Sequence, residues 1–542
     1  MPGRRRTVLT WAGLAVLMGT ISGLAAVVFY SAVRWATAAF QGGLVGYAPA
    51  TTAAEGAVHA ASGPGHIWAL PLVTAGGALV ASLIAAWLAP ETGGHGTDAA
   101  IAAAHEKPTG VRSRVPMVKT ASAAVLLGSG GSGGTEGPIA QIGGALGSWL
   151  SRRARLDVRQ ARTLVMTGLG SGIGAIFRAP LSGGVLAAEL LYGRGMAVQV
   201  LFPAALASVT AFGVFGAVYG YGSLFGDLWV GMTLSPRDLL GYALLGLVCG
   251  SVGRVYCRCF YGVHALTERS IRRSPGRRAL PRWAPPVLGG AAVGVLGMAV
   301  PEVLGPGYGT IQQLLSSDAV RQMALWLVLA LPLAKIAATS LSIGTGGSGG
   351  IFGPGLLIGA ATGIAFWRVA SPLGITSDEA AIFAIIGMAA CLGPIIHAPL
   401  GVTILVLEST RSPGLLLPTA VAMTASWWLV GEQTLYRSQR MDGGYRITDP
   451  LRALRRAVVR PLVRRRVPRT TGRATEVVPA PAPDPAAGPP AAMPAAVQDP
   501  AALEDLVAAH DEASVQDPVT VQDPVVVRNN VPLRGATRRD CP

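Results

Sequence analysis

The stretch that decides the fold is GSGGSGGTEGPIAQIGGALG, residues 128–147, in which a run of glycines leads to one acid, Glu136. A second copy, GTGGSGGIFGPGLLIGAATG, covers residues 344–363 and carries Ile351 and Phe352 where the first copy has Thr-Glu. Both copies keep the glycine run and the Gly-Pro pair, which indicates an internal repeat. The chain therefore consists of two related halves, and we expect their glycine-rich segments to meet in space.

The match between the halves extends beyond the glycine runs. Upstream, PMVK at 116–119 corresponds to PLAK at 332–335, at an offset of about 216 residues. Downstream, FRAPLSGGVLAAE at 177–189 corresponds to IHAPLGVTILVLE at 396–408, at an offset of about 219 residues. A nearly constant offset over this length is typical of a duplicated unit.

Composition indicates an integral membrane protein. Of the 542 residues, 51% are hydrophobic and 13% are charged, and the mean hydropathy is +0.47. Several apolar runs are long enough, or nearly long enough, to cross a bilayer. They cover residues 8–40, 67–88, 117–127, 198–219, 239–255, 287–300, 323–343, 358–369, 380–408 and 415–430.

Glycine and proline interrupt several of these runs. Irregular backbone is stable in a bilayer only where protein or a water-filled cavity covers it. Broken helices at matching positions of two halves therefore indicate a transport site. The predicted fold class is an all-α polytopic membrane protein with broken and re-entrant helices.

The charge pattern fits a membrane protein and gives no reason to expect a nucleic acid. The net charge is +16, and the basic residues are concentrated at 4–6, at 152–162, in a predicted loop over 254–282 and at 452–473, beside the apolar runs. Positive flanks of membrane helices face the cytoplasm, so both termini are expected there, in contact with anionic lipid. The apolar run after Arg6 is too long for a signal peptide and is interpreted as the first membrane helix. Five cysteines without paired spacing support neither a disulfide framework nor a zinc site, and no cofactor is expected.

Beyond residue 436 the composition changes to Arg-rich and then to Pro- and Ala-rich sequence. Such a segment buries too little apolar surface to fold. The predicted organisation is a membrane domain over 1–436, with repeats at about 10–220 and 237–436, followed by a disordered cytoplasmic tail over 437–542.

Glu136 is an acid among unshielded backbone N–H groups, which suit an anion partly stripped of water. Its carboxylate either competes with an anion for those donors or is protonated and moves aside, so that occupancy depends on pH. The alternative is a structural ion pair with Lys119 or Arg178. Ser132, inside a G-x-S-x-G string, together with His397 raises an intramembrane serine protease as a remote alternative. A symmetric pair of such strings argues against it, and no enzymatic activity is expected.

The segment ETGGHGTD at 91–98 precedes a helical pattern, and bare N–H groups at a helix amino terminus favour an anion. Thr97 or Asp98 serving as an ordinary helix cap is the alternative. Glu189 and its counterpart Glu408 end apolar helices, and their symmetric placement favours a capping or interface role.

With these motifs, residues 10–436 resemble the CLC family of chloride channels and proton-coupled chloride transporters. TEGP at 135–138, with Gln141, is similar to the family's G-[RK]-E-G-P segment, and GIFGP at 350–354 matches its G-x-F-x-P segment. GHGTD at 94–98 stands where the family usually has G-S-G-I-P, and Tyr436 stands where a late tyrosine coordinates the ion.

The resemblance implies a homodimer in the cell membrane, built from two inverted-topology repeats, with one pathway for chloride or other small anions in each subunit. Glu136 is then the gate and proton acceptor. The implied anion-binding residues are His95, Gly96, Ile351, Phe352 and Tyr436, and the implied pore-forming loops contain Gly134, Gly137, Pro138, Gly350, Gly353 and Pro354.

Three positions depart from the family pattern. His95 replaces a serine, and its ring either donates one N–H when neutral and two when protonated, or turns away. Thr135 replaces a basic residue before the gate. Leu190 replaces the inner glutamate of proton-coupled members. Because leucine cannot carry a proton, we predict chloride conduction that is sensitive to voltage or pH and uncoupled from protons. Some family branches lack this glutamate and still exchange protons, so a proton-coupled chloride or fluoride antiporter is the alternative.

Overall fold

The structure is a computed structural model that describes residues 2–63, 65–228, 236–272, 280–374, 379–441 and 443. Within these ranges the regular secondary structure is helical, and extended pairing is limited to isolated bridges. The all-α prediction is confirmed for the described residues.

Eight α-helices form the first half. They are α1 (Pro2–Thr37), which continues as a π-helix over Ala38–Val45, α2 (Leu70–Leu88), α3 (Gly96–Glu106), α4 (Val115–Gly128), α5 (Glu136–Arg153), α6 (Val158–Ile176), α7 (Pro180–Glu189) and α8 (Val198–Tyr219). Short 3-10 turns occur at Ala53–Glu55, Ile67–Ala69 and Pro90–Thr92.

The second half repeats this order, with one additional short helix. It contains α9 (Pro236–Ile271), α10 (Ala284–Ala299), α11 (Tyr308–Leu314), α12 (Ser317–Gln322), α13 (Leu325–Ile343), α14 (Phe352–Ala370), α15 (Ala380–Ile395), α16 (Pro399–Thr410) and α17 (Leu416–Val430). Its 3-10 turns are Pro301–Val303, Ser371–Leu373 and Pro413–Leu415.

Seven helical stretches in the described part of the chain are long and apolar enough to cross a bilayer. They are Val8–Val45, Ile67–Leu88, Val198–Tyr219, Asp238–Ile271, Leu325–Ile343, Phe352–Leu373 and Pro413–Val430. Four apolar helices, α4, α10, α15 and α16, are shorter than a full span. Short helices inside a membrane protein require protein cover for their free ends, as the predicted breaks imply.

Two predicted elements differ in the structure. The apolar run 380–408 is divided, because α15 ends at Ile395 and Pro399 starts a new helix, where its missing N–H is tolerated. Between them His397 adopts a left-handed conformation, with φ of 52°. The basic segment 254–282, predicted to be a loop, is helical as far as Ile271.

The same close helix crossing occurs in both halves. A Cβ on Gly143 of α5 would collide with the carbonyl of Gly168 on α6, and a Cβ on Gly359 of α14 would collide with that of Gly387 on α15. The backbones of these helix pairs therefore touch, and α5 and α14 are almost fully buried as a result.

The ordered membrane part continues past residue 436, farther than predicted. Ser438 donates from its N–H and its hydroxyl to Asp98, each at 2.9 Å, and Gln439 Nε2 donates to the carbonyls of Leu190 and Ile396. These contacts attach the residues after Tyr436 to the core. The rest of the predicted tail, residues 444–542, lies outside the described residues.

Candidate functional site

The two glycine runs meet at the centre of the molecule, as the repeat predicts. Gly134 and Gly350 exchange backbone hydrogen bonds of 2.8 Å and 2.9 Å in an antiparallel bridge. A Cβ on Gly137 would lie 2.6 Å from the Cα of Gly350, so only glycine permits this approach. The bridge places the amino termini of α5 and α14 side by side, with Pro138 and Pro354 in their first turns.

The Glu136 side chain lies between these two helix starts and is fully buried. Its Oε1 accepts a hydrogen bond of 2.8 Å from the backbone N–H of Phe352, the first residue of α14. Its Oε2 accepts a hydrogen bond of 2.8 Å from the hydroxyl of Tyr308. The carboxylate therefore occupies a helix-terminal N–H that the family resemblance leads us to expect for an anion, in the dipole field that favours negative charge.

Neither cation proposed as a structural partner contacts Glu136, so that alternative is wrong. Lys119 Nζ donates to the carbonyls of Thr92 and Gly94, at 2.8 Å and 2.9 Å. Arg178 donates to three other carbonyls, those of Ala54, Tyr219 and Gly222.

The two repeat-related lysines hold two equivalent segments. Lys335 Nζ donates to the carbonyls of Val303 and Gly305, at 2.9 Å and 2.8 Å, as Lys119 does in the first half. The segments that they hold are PETGGHGTD at 90–98 and PEVLGPGYG at 301–309, which align at an offset of about 211 residues. Each segment leads into a short helix, α3 or α11.

Sequence reasoning missed Tyr308, which starts α11 and contacts Glu136. The signal was the Pro-Glu-x-x-Gly-x-Gly pattern that these two segments share, in which Tyr308 stands opposite Thr97. The readily visible match between the repeats ends upstream at PMVK, 116–119, and PLAK, 332–335. Tyr308 lies upstream of PLAK, outside that match.

His95 and Tyr436 are brought together on another side of the glycine bridge. Their rings stack with centroids 6.0 Å apart and planes 23° apart. Tyr436 is fully buried, and its hydroxyl lies beside the Thr97 side chain without a hydrogen bond of normal geometry. Among the described residues His95 Nδ1 has no hydrogen-bond partner either. Buried polar atoms are normally satisfied, so two such atoms on adjacent rings mark a place for a polar or charged ligand.

The backbone around His95 connects this pair to the segment that binds Glu136. Gly349 donates to the carbonyl of Gly94 at 3.4 Å, and His95 and Gly349 form a parallel bridge. Gly350, Ile351 and Phe352 follow directly in the chain. Gly96 is buried at the start of α3 and brings that amino terminus to the same bridge.

Helix α9 contacts both the Ile351 backbone and the His95 ring. The Tyr256 hydroxyl donates to the carbonyl of Ile351 at 2.9 Å. One turn later the Phe260 ring packs edge-on against His95, with centroids 5.5 Å apart. Both aromatic residues are buried, and neither was predicted, because they lie far from the glycine motifs.

The first turn of α3 is not capped by its own side chains, which contradicts the alternative for Thr97 and Asp98. His95 occupies the cap position without a side-chain cap. Asp98 instead accepts both hydrogen bonds from Ser438, two residues after Tyr436. This acid therefore fixes the backbone that carries the tyrosine.

Leu190 lies at the carboxyl end of α7 and is fully buried in the apolar core. Its carbonyl accepts from Gln439 Nε2 at 3.2 Å. Ser132, the nucleophile of the protease hypothesis, shares a hydrogen bond of 3.0 Å with the Thr339 hydroxyl rather than with a histidine. The protease constellation is therefore not assembled.

Comparison with known proteins agrees with this architecture. The family model described as "Voltage gated chloride channel" matches residues 76–431. A ClcB-like chloride channel protein of Ralstonia nicotianae is 32% identical over 76% of this chain and 91% of its own length. The H(+)/Cl(-) exchange transporter ClcA of Salmonella agona is 31% identical over 80% of this chain and 88% of its own length.

A solved structure has the same fold. The crystal structure of a slow cyanobacterial Cl-/H+ antiporter superposes with a TM-score of 0.67 at 22% identity, covering 79% of this chain and 96% of the antiporter. The family match extends over more than half of the chain, and the curated relatives align over most of their length. The chain therefore belongs to the CLC family, whose members are multi-pass membrane proteins that transport anions.

Proposed function

We propose that this protein conducts chloride across the cell membrane through one pathway in each subunit, and that Glu136 is the gate. The observation that carries the proposal is the position of its carboxylate, which takes the N–H of Phe352 at 2.8 Å at the start of α14. A bound anion needs the same donor. Conduction therefore requires the carboxylate to leave, through protonation, voltage or displacement by the anion.

The remaining anion contacts are proposed around the unpaired atoms of the site. The Tyr436 hydroxyl and His95 Nδ1 are buried without hydrogen bonds of normal geometry among the described residues. A chloride ion beside them accepts from the hydroxyl and from the ring when Nδ1 carries the proton. The backbone N–H groups of Gly96, Ile351 and Phe352 complete the set, and the glycines of the bridge keep side chains out of the pathway.

We further propose that conduction is not coupled to protons. Leu190 stands where proton-coupled members carry their inner glutamate, and it lies in the apolar core. An alkyl side chain offers no acceptor, so no proton can pause at this position. The second candidate is proton-coupled anion exchange, which similarity to the H(+)/Cl(-) exchange transporter ClcA of Salmonella agona favours.

The assembly is proposed to be a homodimer with both termini in the cytoplasm. Its lipid-facing helices expose large apolar side chains such as Leu72, Phe202 and Leu288, as a bilayer or a second subunit requires.

The proposed gate is tested by chloride efflux from liposomes that contain purified protein. Glu136→Ala removes the competing carboxylate, so its efflux should exceed that of the wild type at neutral pH and depend less on pH. Glu268→Ala, which changes an exposed acid at the end of α9, serves as the control. Equal rates and equal pH profiles for wild type and Glu136→Ala would refute the gate.

A further inference from the structure

We propose that Tyr308 is a latch on the gate: its hydroxyl holds the Glu136 carboxylate in the closed position and must release it before an anion can pass. The proposal rests on the function proposed above for Glu136. Tyr308 is a positioning residue in this scheme, because it acts through the carboxylate.

Each oxygen of the Glu136 carboxylate accepts a short hydrogen bond from another helix start. Phe352 N–H binds Oε1 and the Tyr308 hydroxyl binds Oε2, both at 2.8 Å. The Tyr308 oxygen also lies 3.3 Å from Thr135 Oγ1. The threonine hydroxyl is able to donate to the phenol oxygen, which leaves the phenol proton for Glu136. Thr135, where the family has a basic residue, thus supports the latch.

The tyrosine is mounted on a segment that cannot follow the carboxylate. It begins α11 directly after Gly307, whose φ of 87° sets the turn. Lys335 binds the carbonyls of Val303 and Gly305 just upstream. Gly305 also donates to the Gly130 carbonyl and accepts from the Gly133 N–H, at 3.3 Å and 3.4 Å. The latch is therefore tied to the same glycine run that carries the gate.

Aromatic packing fixes the ring as well. Tyr308 packs edge-on against Phe177 with centroids 5.7 Å apart and planes 79° apart. Phe177 in turn contacts Phe352, with centroids 5.6 Å apart. When Glu136 moves away, the hydroxyl stays behind and the hydrogen bond breaks. The closed state alone contains this bond, so the bond favours closure.

Other titratable groups also face the gate. They are Lys335 on α13, Tyr256 on α9 and Tyr436 after α17, which lie close enough to feel the charge of Glu136. Their hydrogen bonds go elsewhere: Lys335 binds carbonyls, and Tyr256 binds the Ile351 carbonyl. Tyr308 is the side chain, among the described residues, that donates directly to the gate.

The test is Tyr308→Phe, which removes one oxygen atom and keeps the ring. A hydrogen bond to a charged group changes an equilibrium by roughly tenfold or more. Chloride efflux at neutral pH should therefore rise by about tenfold. The pH of half-maximal efflux should move upward, because a carboxylate with one donor fewer is protonated more readily.

The matched control is Tyr30→Phe. Tyr30 donates to Glu55 at 2.8 Å, a bond of the same kind that lies far from the gate. Tyr308→Phe is also combined with Glu136→Ala. The proposal expects the tyrosine change to have no effect in that background, since the group that it holds is absent.

Two results would overturn the latch: efflux and a pH profile of Tyr308→Phe equal to those of Tyr30→Phe, or the same increase with and without Glu136. If Glu136→Ala itself behaves as wild type, the gate proposal fails first, and the latch with it. Should Tyr308→Phe not fold, Thr135→Val tests the same contact from the other side. A smaller increase in efflux is expected from it, and no increase contradicts the proposal.

Discussion

Glu189 near the end of α7 caps the start of α16, and Glu408 near the end of α16 caps the start of α7. The Glu189 carboxylate accepts from the N–H groups of Leu400 and Gly401 at the start of α16, at 3.2 Å and 2.7 Å. Glu408 accepts from Leu181 and Ser182 at the start of α7, at 3.0 Å and 2.8 Å. The capping role predicted from symmetry is confirmed, and the two repeats are joined by a reciprocal pair of helix caps.

Glu189→Ala and Glu408→Ala should therefore each lower thermal stability. Each change leaves two N–H groups at a helix start without an acceptor, and losing a helix cap costs ~1 to 2 kcal/mol. Glutamine at either position keeps one acceptor oxygen and should lose less. Thermal unfolding of purified protein in detergent measures the effect.

The control for the two caps is Glu268→Ala. Glu268 forms a 3.7 Å ion pair with Arg272 on the surface, and exposed pairs of this kind contribute little. If both cap variants unfold at the same temperature as the Glu268→Ala variant, the caps do not stabilise the repeat interface.

Tyr436→Phe should weaken anion binding without unfolding the protein. The hydroxyl has no hydrogen bond of normal geometry to lose among the described residues, so its removal costs the protein little. A hydrogen bond to an ion is worth about 1.5 to 3 kcal/mol, which corresponds to roughly a tenfold or larger rise in the chloride dissociation constant. Isothermal titration with chloride measures it. An unchanged dissociation constant would remove Tyr436 from the proposed anion ligands.

Asp98→Ala should weaken anion binding from a position that does not touch the anion. The carboxylate accepts both hydrogen bonds from Ser438, so its loss frees the backbone that holds Tyr436. Ser438→Ala removes only the hydroxyl donor and keeps the backbone one, so its effect should be smaller. Chloride titration of both variants gives the order. A larger effect for Ser438→Ala would contradict the idea that Asp98 positions this segment.

Much of the fold could be predicted from sequence because the duplication left nearly identical glycine strings. Only glycine permits the contact between Gly137 and Gly350. The glycine content of the two runs therefore made their pairing predictable. The extent of α9 was missed, because the arginines that follow Gly253 suggested a loop. One of them, Arg254, donates to the carbonyl of Leu429 at 2.9 Å, and α9 continues through it as far as Ile271.

The candidate site was only partly predictable for a related reason. Glu136 and Phe352 lie in motifs, but Tyr308 reaches Glu136 through tertiary packing of a short helix. The position of the residues after Tyr436 likewise depends on a hydrogen bond to Asp98, about 340 positions earlier in the chain. Local composition does not reveal such contacts, although the pattern shared by residues 90–98 and 301–309 marks the segment that carries Tyr308.

The central claim, chloride conduction without proton coupling, is tested most directly by the reversal potential of purified protein in a bilayer with a chloride gradient, measured with and without an opposing proton gradient. Because Leu190 offers no proton acceptor, the reversal potential should follow the chloride gradient alone in both conditions. A shift when the proton gradient is imposed would contradict this account and identify the protein as an exchanger.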